Sequence, residues 1–471
     1  MRLQPPSFLL FLQMVLATAA CAATALAHAD DKVPVEKHQL GHPLPHEGPE
    51  PTPDNVVTEN WNFFGQYTNV TQWNRRFRSP RPVIEDTKTF LPTPQRESTN
   101  DATFFIGLRL APQTEFYINP EIDQGFGLSN AMGIAGYTSG TAYKLGQAKP
   151  YAKLQRAFVR HTVNLGGEVQ ALDSEANQLS GKRTADNLVF TVGKFSVVDI
   201  FDNNRYAHDP RGDFLNWSVL DSGAFDYAAD AWGFTFGAAV EWNQGDWTWR
   251  NGVFNLSTVP GSTKFGFNFK QFELVTEVER RHQVGERSGA VKVLAFVNRG
   301  YMASYADAVQ WGIQNAQTPD VEAVRKRASN PGAALIVEQE LTPTLGMFVR
   351  ASANSGKKET FDFTEITRSL VLGLSQNGAP WGRAQDTVGV AVVRNHLSKS
   401  GQAYFDRGGL GILIGEGYMP YAPEGIVESY YQWQLSKWLA VALNYQRVSK
   451  PGYNYERGPV HVGGLRVHAE F

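Results

Sequence analysis

Period two dominates the chain beyond Asn60. In the run from Trp232 to Trp242, one face collects Trp232, Phe234, Phe236, Ala238, Val240 and Trp242, and the other Gly233, Thr235, Gly237, Ala239 and Glu241. An aromatic at each end of the apolar face, with small and polar residues opposite, predicts a strand with lipid on one side and water on the other. Residues 272–279 set Phe272, Leu274, Thr276 and Val278 against Glu273, Val275, Glu277 and Glu279. Residues 345–353 set Leu345, Met347, Val349, Ala351 and Ala353 against Gly346, Phe348, Arg350 and Ser352. Similar runs fall at 106–110, 187–193, 247–253, 388–394, 427–435 and 439–445, and no helix-period segment competes with them. The polar stretches 75–101, 168–186 and 310–331 are predicted to be long extracellular loops or inward-folded segments.

The last run alternates Gly463, Leu465, Val467, Ala469 and Phe471 with Gly464, Arg466, His468 and Glu470. An alternating strand closed by an aromatic is how bacterial outer-membrane barrels commonly end, which makes the barrel-assembly machinery an expected partner through Phe471. The fold class predicted is all-β, a transmembrane antiparallel barrel over residues 59–471. The residues after the N-terminal tail, about 410, leave room for a mid-sized barrel of strands of about 10 residues each.

The N-terminus reads differently. Residues 1–29 carry Arg2, an apolar core over 8–17 and then small residues, the layout of a secretory signal peptide with cleavage after Ala27 or Ala29. Cys21, the single cysteine, falls inside it, so the exported chain would hold no thiol for catalysis or disulfides. Residues 30–58 are rich in proline and histidine and are expected to form a disordered tail. His38, His42 and His46 stand four apart, but Pro43 and Pro45 argue against the helix that would stack them as metal ligands.

Composition narrows the function classes. The 44 basic and 46 acidic residues nearly cancel, which argues against a nucleic-acid partner. Beyond the N-terminus no apolar run approaches the roughly 20 residues of a membrane-spanning helix, while 44 Gly, 11 Trp, 17 Tyr and 29 Phe suit a barrel. No G-x-S-x-G, H-E-x-x-H or Walker A pattern is present, and residues 408–415 lack phosphate-loop spacing and look strand-like. No catalytic residue, metal or cofactor is therefore expected. An outer-membrane barrel enzyme, the alternative of another class, would need a Ser, a His and an orienting group on the lipid side.

From about Asn119 onward a family resemblance emerges. Its residues are Asn119-Pro120-Glu121-Ile122, Gly127-Leu128-Ser129, Gly133-Ile134-Ala135-Gly136 and Gly193-Lys194-Phe195. They continue with Asp199-Ile200-Phe201-Asp202-Asn203-Asn204, Tyr206-Ala207-His208-Asp209-Pro210-Arg211, Phe214-Leu215-Asn216-Trp217 and Asp226-Tyr227-Ala228-Ala229-Asp230. Later come Asn298-Arg299, Tyr305-Ala306-Asp307-Ala308, the glycine-rich 408–415, Pro451-Gly452-Tyr453-Asn454 and Arg457-Gly458-Pro459-Val460. In this order they resemble the OprB-type carbohydrate-selective porins of Gram-negative outer membranes. The resemblance implies a barrel of roughly sixteen strands and passive diffusion of mono- or small oligosaccharides, glucose-like sugars among them. A general or organic-acid-selective porin on the same fold is the alternative. The proline-rich tail and His208 depart from the pattern.

A sugar pore needs fixed donors and acceptors at its narrow point and a flat apolar surface for the sugar ring. Alternation points Arg109, Arg250, Arg350 and Arg466 inward, with Glu115, Glu241, Glu273, Glu277, Glu428 and Glu470. Residues 199–217 are the predicted constriction, and the candidate sugar-binding residues are Arg109, Glu121, Asp202, Asn203, Arg205, Asp209, Arg211, Trp217, Glu241, Arg250 and Arg350. The competing reading is structural: wall charges that pair across strands, and a loop pinned to the wall by Asp–Arg contacts. Expected partners are small sugars in the pore and outer-membrane lipid around it.

Overall fold

A computed structural model describes residues 52–142 and 146–471. The predicted signal segment, and the tail with its three histidines, lie outside the described residues up to position 51.

Sixteen strands form one closed antiparallel barrel in which each strand pairs with its neighbours in sequence. They are β1 (Trp61–Asn74), β2 (Gln95–Ala111), β3 (Thr114–Gly125), β4 (Gln147–Leu172), β5 (Gly181–Phe195), β6 (Thr235–Gln244), β7 (Trp247–Asn255) and β8 (Phe272–Val284). Then follow β9 (Arg287–Met302), β10 (Lys326–Thr342), β11 (Leu345–Asn354), β12 (Arg368–Gly378), β13 (Arg383–His396), β14 (Glu424–Ser436), β15 (Leu439–Ser449) and β16 (Val460–Glu470). The barrel closes between β1 and β16, from Gln66 opposite Glu470 to Asn74 opposite Val462. Closure leaves no free strand edge, so every strand meets its backbone hydrogen-bonding needs within the sheet.

The connections differ sharply between the two ends. At one end seven turns of two to eight residues join the strands; at the other, eight loops run from 10 to 39 residues. These are called the turn end and the loop end. Residues 168–186, expected among the long loops, lie at the turn end as the tips of β4 and β5.

Alternation behaves as the sequence pattern predicts. In β8, Glu273, Val275, Glu277 and Glu279 are buried toward the lumen while Leu274 and Val278 are exposed outward. Exposed leucines and valines such as Leu370, Leu372, Val390 and Val392 form the middle of the outer wall. Aromatics frame it: Trp61, Trp247, Trp381 and Trp438 at the turn end, and Trp73, Tyr301 and Tyr445 at the loop end. This is the arrangement of a wall that meets lipid tails centrally and headgroups at its two borders.

Three local expectations need correction. Trp232 and Phe234 do not belong to a strand, because β6 begins only at Thr235. Residues 408–415 lie in the loop between β13 and β14 rather than in a strand. Two helices of eight residues or more stand in loop-end connections, Tyr305–Asn315 and Lys399–Asp406, started by the Ser304 and Ser398 side chains. With only 11 and 8 residues they are too short to raise a helix-period signal above the strands around them.

Candidate functional site

The longest connection, residues 196–234 between β5 and β6, folds into the lumen instead of outward. Its entry is fixed by Asp199, whose carboxylate accepts the Ser196 N–H at 3.0 Å and both arms of the Arg156 guanidinium at 2.7 Å.

From there the barrel wall holds the segment by its backbone. Glu277 accepts the Asp202 N–H at 2.8 Å, Glu428 those of Leu215 and Asn216 at 2.6 and 3.0 Å, and Glu273 that of Ala228 at 2.7 Å. Arg350 donates to the carbonyls of Ala207, Val219 and Asp202 at 2.8, 2.8 and 3.0 Å. Arg466 does the same for Pro210, Gly212 and Asp213 at 2.8, 2.9 and 2.6 Å. A loop buried inside a barrel carries backbone groups that water cannot reach, and each left unpaired costs about 1–3 kcal/mol. The inward-facing charges therefore make the fold of this loop possible.

Apolar packing completes it. Phe201 meets Phe254 edge-on, Phe225 leans on Phe296, and Phe214 packs edge-on against Phe348 and Tyr430. These partners sit at inward positions of β7, β9, β11 and β14, so much of the lumen is a dry core.

An opening remains against β2, β3 and β4. A cavity of about 210 Å³ is bordered by Asp101, Glu121, Asp123, Lys153, Arg156, Asp199, His208, Asp209, Arg211, Asp221, Trp232 and Phe234, among others. Arg211 stands at its centre of charge. Its Nε donates to Asp101 Oδ1 at 2.8 Å, Nη2 lies 3.5 Å from Glu121 Oε2, and Nη1 lies 3.6 Å from Asp209 Oδ1. Those contacts engage at most three of the five guanidinium N–H groups. Glu121 also accepts from Thr103 at 2.7 Å and Gln155 at 2.6 Å. Beside it Lys153 pairs with Asp123 at 2.8 Å and lies 5.4 Å from the ring centre of Trp232, while Arg156 lies 4.9 Å from that of Phe234.

Burial opposes the charge on Arg211, but Asp101, Asp209 and Glu121 around it hold it protonated more firmly than an ordinary arginine. Burial likewise works against ionised Asp209, yet Arg211 brings its carboxyl below the usual range. His208 is pushed the other way, kept neutral by burial and by the charge of Arg350. Asp221, 3.9 Å from His208, is driven well up by burial and by Asp202. Six carboxyl side chains and three cationic ones border the cavity, and of the six Asp221 is held toward its neutral form.

The expected residues divide into groups. Glu121, Asp209, Arg211 and Trp217 border this cavity. Trp217 does so only at an edge, because its ring is stacked between Tyr137 at 5.5 Å and Phe363 at 4.8 Å and has no free face for a sugar. Asp202 is fully buried and takes the Ser222 hydroxyl at 2.7 Å, and the Asn203 carbonyl is held by Lys292 at 2.7 Å. Arg350 has no exposed surface. These three pin the loop instead of lining the opening. Arg205 is exposed and reaches Ser288 at 3.2 Å, near the turn end. Arg250 is enclosed by Glu241 at 3.1 Å, Glu277 at 2.8 Å and Glu279 at 2.7 Å, away from the cavity. Arg109 pairs with Glu115 at 2.8 Å and donates to the Glu59 carbonyl at 2.7 Å, again apart from it.

Asp101, Asp123, Lys153 and Arg156 complete the lining and were not singled out from sequence. Asp101 and Asp123 face each other across β2 and β3, one step from the Thr103–Glu121 pair, and the period-two series Asn119, Glu121, Asp123 carried that signal. Lys153 and Arg156 have opposite parity. A bulge skips Gln155, with Leu154 opposite Pro120 and Arg156 opposite Asn119, so strict alternation could not bring both to the lumen.

The high-pH structure of Pseudomonas putida OprB overlaps with a TM-score of 0.65 at 16% identity, over 88% of this chain and 94% of that one. Pseudomonas aeruginosa OccK2 (OpdF) overlaps with a TM-score of 0.44 at 9% identity, over 88% and 98% of the two chains. A search of curated proteins returns no match. The family described as carbohydrate-selective porin, OprB family, matches residues 93–471. A closed sixteen-strand barrel narrowed by an inward loop is the body of a channel and not of an enzyme, and this chain belongs to the OprB family of carbohydrate-selective porins.

Proposed function

We propose that the protein passes mono- and small oligosaccharides, glucose-like sugars among them, down their gradient through the cavity between loop 196–234 and strands β2–β4. The observation that carries this reading is Arg211, held among three carboxylates with N–H donors to spare. Around it, fixed carboxylate acceptors and the half-buried rings of Trp232 and Phe234 supply the other two things a hydroxyl-covered ring needs. Such a solute exchanges hydrogen bonds with water for hydrogen bonds with the wall, so little free energy is lost on entry. The Asp209 carboxylate beside Arg211, held ionised, disfavours a dicarboxylate there, which separates this reading from an organic-acid pore. Glu121, Asp209 and Arg211 are the sugar-contacting residues of the expected set, joined by Asp101, Lys153, Trp232 and Phe234.

Export by an N-terminal signal, insertion by the barrel-assembly machinery and a loop end that faces outward belong to the same reading. Short turns inside and long loops outside is the rule for bacterial outer-membrane barrels. Single-channel conductance of the purified protein in a planar bilayer, titrated with glucose and a dicarboxylate, tests the assignment. Block by glucose at millimolar concentration and indifference to the dicarboxylate are expected. Large currents indifferent to sugars would overturn it.

A further inference from the structure

Three arginines stand on the outer wall of the barrel at the loop end with no partner of opposite charge. Arg368 on β12, Arg394 on β13 and Arg447 on β15 all occupy outward positions and are exposed. Across β12 and β13, Arg368 faces His396 and Arg394 faces Leu370; across β15 and β16, Arg447 faces His461. Neighbouring strands lie about 4.8 Å apart, so the row crosses about 14 Å of wall. None of the three forms an ion pair with the described residues, and at the loop end the outward positions of β12–β16 hold no Asp or Glu. By contrast, Arg383 at the turn end is paired with Asp386, and Arg299 on β9 donates to Ser329 at 2.8 Å.

The row is also notched. Between Arg394 and Arg447, β14 presents Gly425, opposite Arg394 on one side and Ser449 on the other. A Cβ at Gly425 would come within 3.5 Å of Arg394 Nη1 and 2.8 Å of Ser449 Oγ, so the absent side chain leaves room there. Directly toward the middle of the wall lie Leu370, Leu372, Val390, Val392, Leu443 and Tyr445, all exposed.

Unpaired cations immediately above an apolar surface fit one kind of ligand, an amphiphile with an anionic head and hydrocarbon tails. Planar guanidiniums favour phosphate, which they grip with paired hydrogen bonds. A second copy of this chain is a poor occupant, because two-fold pairing of this face would set arginine against arginine. We propose that the Arg368–Arg394–Arg447 row binds the phosphate groups of a phosphorylated lipid of the outer leaflet, whose acyl chains lie on the leucines and valines below. The inference rests on the loop end facing outward, and the test separates that premise from the binding itself.

The full-length exported protein in nanodiscs, with bis-phosphorylated lipid A as probe, is compared by native mass spectrometry with the variant R368Q/R394Q/R447Q. The variant should retain about a hundredfold less of the phosphorylated lipid. Lipid A stripped of its phosphates should bind both proteins equally poorly, and sugar flux should be unchanged, since none of the three residues borders the pore cavity. Should the triple variant fail to assemble, R394Q alone should still lower retention, and R394K should fall between R394Q and the parent. Equal retention of the phosphorylated lipid by parent and variants, or retention of the phosphate-free lipid by the parent as strong as that of the phosphorylated one, overturns the proposal. Displacement of lipid A by millimolar inorganic phosphate assigns the row to a free anion and overturns the lipid. Orientation is read separately, by labelling Ala403→Cys on intact cells with a membrane-impermeant maleimide. Labelling supports the outer leaflet; its absence overturns that assignment whatever the nanodiscs show.

Discussion

Arg350 on β11 and Asp202 in the inward loop are locked together with no exposed surface on either side chain: Nη2 donates to the Asp202 carbonyl at 3.0 Å and Nε stands 3.5 Å from its carboxylate. The same guanidinium holds two further loop carbonyls, so one side chain of the wall ties three turns of the loop. Arg350→Met keeps the volume and removes every donor. Breaking a buried pair of this kind costs about 3–5 kcal/mol, enough to free the loop while the sixteen-strand ladder stays closed. The expected result is a several-fold rise in single-channel conductance with loss of sugar block. An unchanged conductance would show that the apolar packing of Phe201, Phe214 and Phe225 holds the loop without Arg350.

Arg211→Gln tests the opening itself. The change removes one cation from a lining of six carboxyl and three cationic side chains and leaves Asp101, Glu121 and Asp209 without their shared partner. Preference for cations should rise, read as a shift of reversal potential in a salt gradient. The sugar concentration for half-block should rise about tenfold, the loss of one hydrogen bond to a charged donor. Arg250→Gln, whose guanidinium is closed in by Glu241, Glu277 and Glu279, should leave both quantities unchanged.

Alternation was enough to read the barrel from sequence, because lipid outside and polar groups inside impose period two on every strand. Arg350, Arg466, Glu277 and Glu428 were placed inward for the same reason. What alternation could not tell is whom these residues face. A wall charge that meets the opening and one that meets a buried loop backbone carry the same pattern, and only the tertiary path of residues 196–234 separates Arg350 from Glu121. Trp217 misled similarly: an aromatic at the end of a polar segment suits a sugar platform, yet Tyr137 and Phe363, far away in sequence, cover both its faces. Arg156 was hidden by the bulge at Gln155, which breaks the period where these two neighbouring polar residues both turn to the lumen.

His208 gives the loop a pH dependence of defined sign. Burial and the charge of Arg350 hold its folded pKa below the ordinary 6.5, so below about pH 6.5 the unfolded chain binds a proton that the folded loop does not. Acidification therefore favours release of the loop at this residue. His208→Gln removes that proton uptake. In detergent micelles, the urea midpoint of the variant relative to the parent should improve between pH 7.5 and pH 5. A difference that is constant across that range would mean the imidazole takes up its proton equally in the folded and the unfolded chain.

The seam between β1 and β16 ends on a close contact. Phe471 and Gly65 exchange two backbone hydrogen bonds, at 2.7 and 2.9 Å, and the phenyl ring lies over the glycine, where an added Cβ would fall 2.4 Å from ring carbon Cε2. Gly65 has an ordinary extended backbone, so its value here is the space it leaves for the ring and not its freedom at positive φ. Gly65→Val should expel the ring and strain the closing pair at a cost of about 1–3 kcal/mol, the usual penalty for overpacking. Phe471→Ala leaves the hydrogen bonds and removes only the ring. If the ring covers the seam, Gly65→Val and Phe471→Ala should each lower the temperature at which the barrel unfolds on a heated gel. Gly65→Val in the Phe471→Ala background should then add little further loss. Full additivity of the two would show that the valine strains the seam through the backbone and that the ring over Gly65 contributes nothing to closure.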